Sequence, residues 1–130
     1  MASRIPTNIG TSSRADNPAA IHIDYEYAAC AEFGRPLMNS IFTLGLVIGR
    51  SVQNTTFGTT VANLGMTDTN FPKALFAGDT VRSETEAKAV RASFSRPGQG
   101  IVTFEHVGLN QRDEIMCCTT SSAPIMARPA

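Results

Sequence analysis

Apolar residues are spaced for a helix in the first half of the chain and for strands in the second. Leu37, Ile41, Leu44, Ile48 and Val52 recur every three or four positions, the period of an α-helix. Arg35-Pro36 opens the segment, and proline suits the start of a helix because its missing N–H has no partner there anyway. The pattern predicts a helix over Pro36–Val52. Its other faces carry Met38, Phe42, Leu46 and Val47, and a helix apolar nearly all round is expected to be enclosed by the rest of its domain. Gly45 and Gly49, four apart, leave a smooth strip where another backbone could approach. Ahead of it, Asp24–Phe33 reads as a shorter helix, capped by Asp24 and closed by Gly34.

After the polar turn Gln53–Gly58 the period drops to two. Thr59–Met66 is a first predicted strand, and the loop through Phe71-Pro72 ends in Ala77-Gly78-Asp79. A long strand follows from Thr80 to about Phe94. In it Val81, Ser83, Thr85, Ala87 and Ala89 alternate with Arg82, Glu84, Glu86 and Lys88, so one face is solvated and the other covers something. Ser95–Gly100 has turn chemistry, Ile101–Leu109 is the next strand, and Asn110–Asp113 turns into a last strand, Glu114–Ala123. Strands joined by short turns make an antiparallel meander. A βαβ sheet would need further helices between the last strands, and a flat sheet would leave the greasy helix half uncovered. The expectation is an α+β hot-dog fold, an antiparallel sheet wrapped around one long helix, spanning residues 16–130 behind an irregular leader, 1–15. Such domains commonly pair through sheet edges, so a homodimer or higher homo-oligomer is expected.

Composition narrows the function. Eleven basic and eleven acidic residues cancel, which argues against nucleic acid, whose ligands usually show a basic excess. No apolar run approaches the ~18 residues of a membrane span. Cys30, Cys117 and Cys118 are odd in number and have no zinc-site spacing, so they read as reduced, largely inert thiols of a cytoplasmic protein. No metal is implied. The leader Met1–Ala15 lacks a secretory apolar core.

Three stretches carry a family resemblance: Asn17–Ala28, with His22 at its middle; Phe33-Gly34-Arg35-Pro36-Leu37-Met38-Asn39-Ser40; and Phe71–Thr80, ending in Gly-Asp-Thr. Occurring in this order, they resemble the MaoC-like, (R)-specific enoyl-CoA hydratase/dehydratase family of hot-dog proteins. Within it, Asn39-Ser40 with Phe42-Thr43-Leu44, Val61–Gly65, Ser95–Val102 and Asn110–Glu114 are similar to the mesaconyl-CoA hydratase (β-methylmalyl-CoA dehydratase) type.

The resemblance implies reversible addition of water to the double bond of a 2-enoyl-CoA, with coenzyme A entering only as part of the substrate. Moving a proton between water and carbon needs a titratable group, and the developing enolate oxygen needs fixed donors. The family histidine falls on His22 and the family aspartate on Asn17, with Asp16 one residue away. Backbone N–H groups around Asn39 and Ser40, at the long helix's start, would receive the thioester oxygen. Lys73, Arg82 and Arg96 are weaker candidates for the CoA phosphates, their charged groups suiting phosphate. His106 reads as structural or solvent-facing, and Asp79 as the residue fixing the Gly-Asp-Thr turn. Two other readings compete. One is a catalytically inactive acyl-thioester-binding or scaffold domain. The other, a hot-dog thioesterase, wants a carboxylate on or near the central helix, and Pro36–Val52 contains none.

Overall fold

The computed structural model describes Ser3–Arg4 and residues 17–127. A two-residue strand β1 (Ser3–Arg4) is followed by α1 (Ala20–Ile23), α2 (Tyr25–Ala29) and the long helix α3 (Ser40–Thr55). The strands β2 (Gly65–Asn70), β3 (Thr80–Ala92), β4 (Gln99–Leu109) and β5 (Ile115–Met126) follow. They form one antiparallel sheet in the order β1-β3-β4-β5-β2. The helix lies across its inner face, nearest to β3 and β4. This is the expected hot-dog arrangement. Most of the predicted leader lies outside the described residues; Ser3 and Arg4 pair with Val81 and Thr80.

The meander follows from alternation. Every residue from Arg82 to Ala87 has a partner on β4, and Glu84, Glu86 and Lys88 face water, as their charge requires, while Val81 is buried; Ala87 and Ala89, expected on the covered face, are exposed, because the strand runs on past what the helix covers. Exposed ion pairs of Arg82 with Glu84 and Asp113, and of Lys88 with Glu86, lie on that outer face. Such pairs are each worth little in water. A register shift between Ala87 and Ala89 bends the long strand, as an extra residue in one strand of a pair does.

Element bounds moved where backbone hydrogen bonds were claimed from elsewhere. The long helix begins at Ser40 rather than Pro36, because Leu37 N–H donates to Ile21 O at 3.0 Å and Met38 N–H to Leu75 O at 2.8 Å, which holds 37–38 extended. Asn39 is the N-cap, its side-chain oxygen accepting from Ile41 N–H at 2.9 Å. Asp24 caps α2 by accepting from Tyr27 N–H, but that helix stops at Ala29 instead of Phe33, and a turn of helix at Ala20–Ile23 precedes it. The predicted strand Thr59–Met66 starts at Gly65. Scattered bonds, Met126 N–H to Thr59 O, Val61 N–H to Pro124 O and Leu64 N–H to Ser122 O, with one bridge from Thr60 to Ile125, tie the preceding residues to β5.

The largest correction concerns what the helix buries. Within the chain, α3 hides only the stripe Thr43, Val47 and Ser51. Ile41, placed on the predicted apolar face, is 67% exposed, and an added Cβ at Gly45 or Gly49 would meet nothing within 4 Å. The close approach is made by the sheet. Gly108 on β4 sits directly under Val47, and a Cβ there would overlap the valine Cγ2. Small residues on the helix stripe and a glycine below it let helix and sheet touch. Val47 with Met38, Leu75, Val81, Met116 and Cys117 forms the core.

Candidate functional site

A cleft of about 430 Å³ opens where the start of α3 meets the loop after β2. Leu37, Ser40 and Thr43 form one wall, Phe71 to Leu75 the other. The two walls are joined by the Met38–Leu75 hydrogen bond. The second wall is set by the Gly-Asp-Thr turn. Asp79, buried, accepts from Phe76 N–H through Oδ2 at 2.9 Å and from Gln111 Nε2 through Oδ1 at 2.9 Å. Gln111 in turn accepts from Thr80 N–H at 3.1 Å. Asp79 thus fixes its turn, and it does so by reaching the β4–β5 turn as well. Gln111 was not singled out in the sequence; its role depends on a contact between turns far apart along the chain.

His22 lies in the single turn of α1, half-buried, and its Nδ1 lies 2.7 Å from Leu37 O. A carbonyl oxygen can only accept, so Nδ1 carries the proton, and in the neutral ring Nε2 keeps its lone pair. Leu37 is in the cleft wall, so the histidine is tied to the extended segment that leads into α3. Asn17 lies on the segment before α1, and its Oδ1 accepts from Ala19 N–H at 3.1 Å, a local turn that orients the chain into the helix. Asp16 lies outside the described residues.

Asn39 and Ser40 take different positions. Asn39 is 2% exposed and acts as the helix cap, whereas Ser40 is exposed and lines the cleft. An α-helix leaves its first N–H groups without intrahelical acceptors and gathers partial positive charge at that end. Ile41 N–H is already taken by Asn39, and Ser40, the first residue of α3, lines the cleft. Of the three candidate cations, Lys73 stands in the cleft wall, with Glu114 Oε2 3.9 Å from its ammonium. Arg82 is engaged on the outer face by Glu84 and Asp113, and those neighbours raise its pKa, the hydrogen bond it donates to Asp113 first. Arg96 sits in the β3–β4 turn, separated from the cleft end of β3 by roughly 40 Å of strand at ~3.3 Å per residue. The structure sets Ser40 and Lys73 in the cleft lining, ties His22 to the carbonyl of another lining residue, Leu37, and leaves Arg82 and Arg96 outside that lining.

A second cavity of about 280 Å³ lies further along the helix, past Val47, between Ser51–Thr56 and the sheet residues Phe104, His106 and Ser121. His106 is buried, with Nδ1 2.9 Å from Thr85 Oγ1 and Nε2 2.8 Å from Ser121 Oγ. Burial lowers its pKa. It is a satisfied interior histidine, not a solvent-facing one. Among the described residues no group of three or more His, Cys, Asp or Glu is placed to hold a metal. None of the described helices is long and apolar enough to cross a membrane.

An antiparallel sheet curled on one long helix defines a hot-dog domain. The chain belongs to the MaoC-like domain family, whose sequence pattern matches residues 15–111. Among solved structures it is similar to the MaoC-like dehydratase from Rhodospirillum rubrum, at 25% identity and a TM-score of 0.85, covering 100% of this chain and 90% of that one. It is also similar in fold to a monoamine oxidase regulatory protein from Archaeoglobus fulgius, at 22% identity and a TM-score of 0.88, over 99% and 87% of the two chains. The (R)-hydratase from A. caviae involved in PHA biosynthesis aligns at 21% identity and a TM-score of 0.75, over 98% and 92%. No curated protein matches the sequence.

Proposed function

We propose that the protein adds water to, or removes it from, the double bond of a 2-enoyl-CoA. The observation that carries this is the 2.7 Å contact from His22 Nδ1 to Leu37 O, which leaves Nε2 as a base beside the start of α3. His22 takes a proton from water as its oxygen bonds to C3. Charge then gathers on the thioester oxygen, where the Ser40 N–H and the helix end stabilise it. The imidazolium returns the proton to C2, so one residue balances the exchange. Asn17 has no acid–base chemistry of its own near neutral pH; its part, with Asp16, is to hold the water. Lys73 at the cleft wall suits a CoA phosphate. The likeness of Asn39-Ser40 and Asn110–Glu114 to the mesaconyl-CoA hydratase type favours a short branched or dicarboxylic acyl group.

The same reading has the protein work in the cytoplasm as a homodimer. β2 is bonded to β5 on one side only, and all its residues are exposed, an edge that pairing with a second copy would satisfy.

Purified protein mixed with crotonyl-CoA and with mesaconyl-CoA, followed by loss of the enoyl-thioester absorbance, tests the activity. Saturable hydration is expected, falling by roughly 10²–10⁴ in His22→Ala, the usual contribution of a positioned acid–base group. One observation favours a second reading, an inactive thioester-binding domain: Asn17, at the family's carboxylate position, spends its oxygen on Ala19 N–H. Under that reading both esters raise the melting temperature by mass action without any turnover.

A further inference from the structure

Three hydrogen bonds place the buried carboxylate of Asp79 in series with His22. Asp79 Oδ2 accepts from Phe76 N–H at 2.9 Å. The other end of that same peptide group, Leu75 C=O, accepts from Met38 N–H at 2.8 Å. The other end of the Met38 peptide is Leu37 C=O, and it accepts from His22 Nδ1 at 2.7 Å. Two peptide groups therefore stand head to tail between a carboxylate and an imidazole. Each is planar and delocalised, so charge drawn toward its N–H end adds to the negative charge on its oxygen. Hydrogen bonds in series strengthen one another by roughly 10–30% apiece in condensed phase, more where water cannot screen them. Here screening is weak: Met38, Leu75, Phe76 and Asp79 are all buried.

We infer that Asp79 is a positioning residue for His22, acting through the Leu75–Phe76 and Leu37–Met38 peptide groups. Its charge makes Leu37 O a stronger acceptor, which holds the Nδ1–H tautomer, fixes the ring's direction and makes Nε2 a better base. The chain in this way recovers, across two backbone groups, the support a carboxylate gives a catalytic histidine by direct contact. Gln111 tempers the effect, because its Nε2 donates to the other oxygen of Asp79 at 2.9 Å and draws charge away from Oδ2. The inference rests on His22 being the base of the proposed hydration.

The test uses the full-length protein labelled with ¹⁵N and reads the His22 Nδ1–H proton resonance alongside crotonyl-CoA kinetics. Asp79→Asn keeps the shape and an acceptor oxygen but removes the charge. The His22 Nδ1–H signal is expected to move upfield. kcat should fall on the order of 3- to 10-fold, a fraction of the ~10²–10⁴ an acid–base group supplies, with KM held within about twofold. Gln111→Ala removes the donor to Asp79 Oδ1, and with it the acceptor of Thr80 N–H, while leaving the cleft lining untouched; it should move the resonance the opposite way. A His22 resonance unmoved in both variants, or moved in the same direction by both, would overturn the relay. Should Asp79→Asn fail to fold, Gln111→Ala alone decides: a downfield shift supports the relay, and no shift ends it. Wild-type protein that hydrates nothing would remove the enzymatic reading, while the resonance shifts would still judge the relay by themselves.

Discussion

At the scale of single residues the two histidines show how environment divides one side chain into two roles. His22 has its Nδ1 on the carbonyl of Leu37, a residue of the cleft wall. His106 has both nitrogens occupied by hydroxyls inside the fold. Burial depresses the His106 pKa, so the unfolded chain takes up a proton more readily than the folded one. Stability from the neutral ring is therefore complete above the unfolded value of about 6.5 and declines as pH falls toward the folded value. Urea midpoints measured for wild type and His106→Asn should converge with falling pH over that range, the wild type losing more. The thiols divide similarly. Cys117, buried, has its pKa pushed up to about 11, first by burial, whereas Cys30 is exposed. A maleimide reagent on native protein at pH 7 should mark Cys30 within minutes and leave Cys117 unreacted until denaturant is added.

The elements show why helical period located α3 and yet misjudged its buried face. Leu37, Ile41, Leu44, Ile48 and Val52 keep the period, but the sheet receives Thr43, Val47 and Ser51. Burial within one chain depends on which stripe fits closely, and a sheet carrying Gly108 accepts the stripe of small and β-branched residues. Gly108→Ala should destabilise the protein by about 1–3 kcal/mol, the usual cost of overpacking, read as a lower denaturation midpoint with unchanged m-value. Asn39→Ala, which removes the cap bond to Ile41 N–H, should cost about 1 kcal/mol. It should also weaken binding in the cleft, since the same residue sets the direction in which Ser40 enters the helix.

For the whole molecule, much apolar surface remains uncovered in one chain. Ile41 on α3, Leu64 and Met66 beside or within β2, and Phe71 at the cleft are all exposed. Together with the free edge of β2, they make a second copy the expected partner. Light scattering at micromolar concentration should return about twice the 13.9 kDa chain mass; a monomer under those conditions would remove the paired-sheet assembly and require the cleft to work alone.

By itself the sequence determined the kinds of elements, their order and the layer they must form. Alternation from Thr80 to Lys88, turn residues at Ser95–Gly100 and Asn110–Asp113, and a long greasy helix are local properties, readable from neighbours in the chain. It also pointed to His22, through a family likeness rather than any local pattern. Only the tertiary structure decided which stripe of the helix is covered, that Lys73 lines the cleft while Arg82 and Arg96 do not, and that Asp79 is bonded to both Phe76 and Gln111. The physical reason is the same in each case. These outcomes rest on hydrogen bonds and contacts between segments distant along the chain, several made by backbone N–H and C=O groups. Nearly every residue carries those groups alike, so no pattern of side chains announces which of them will meet.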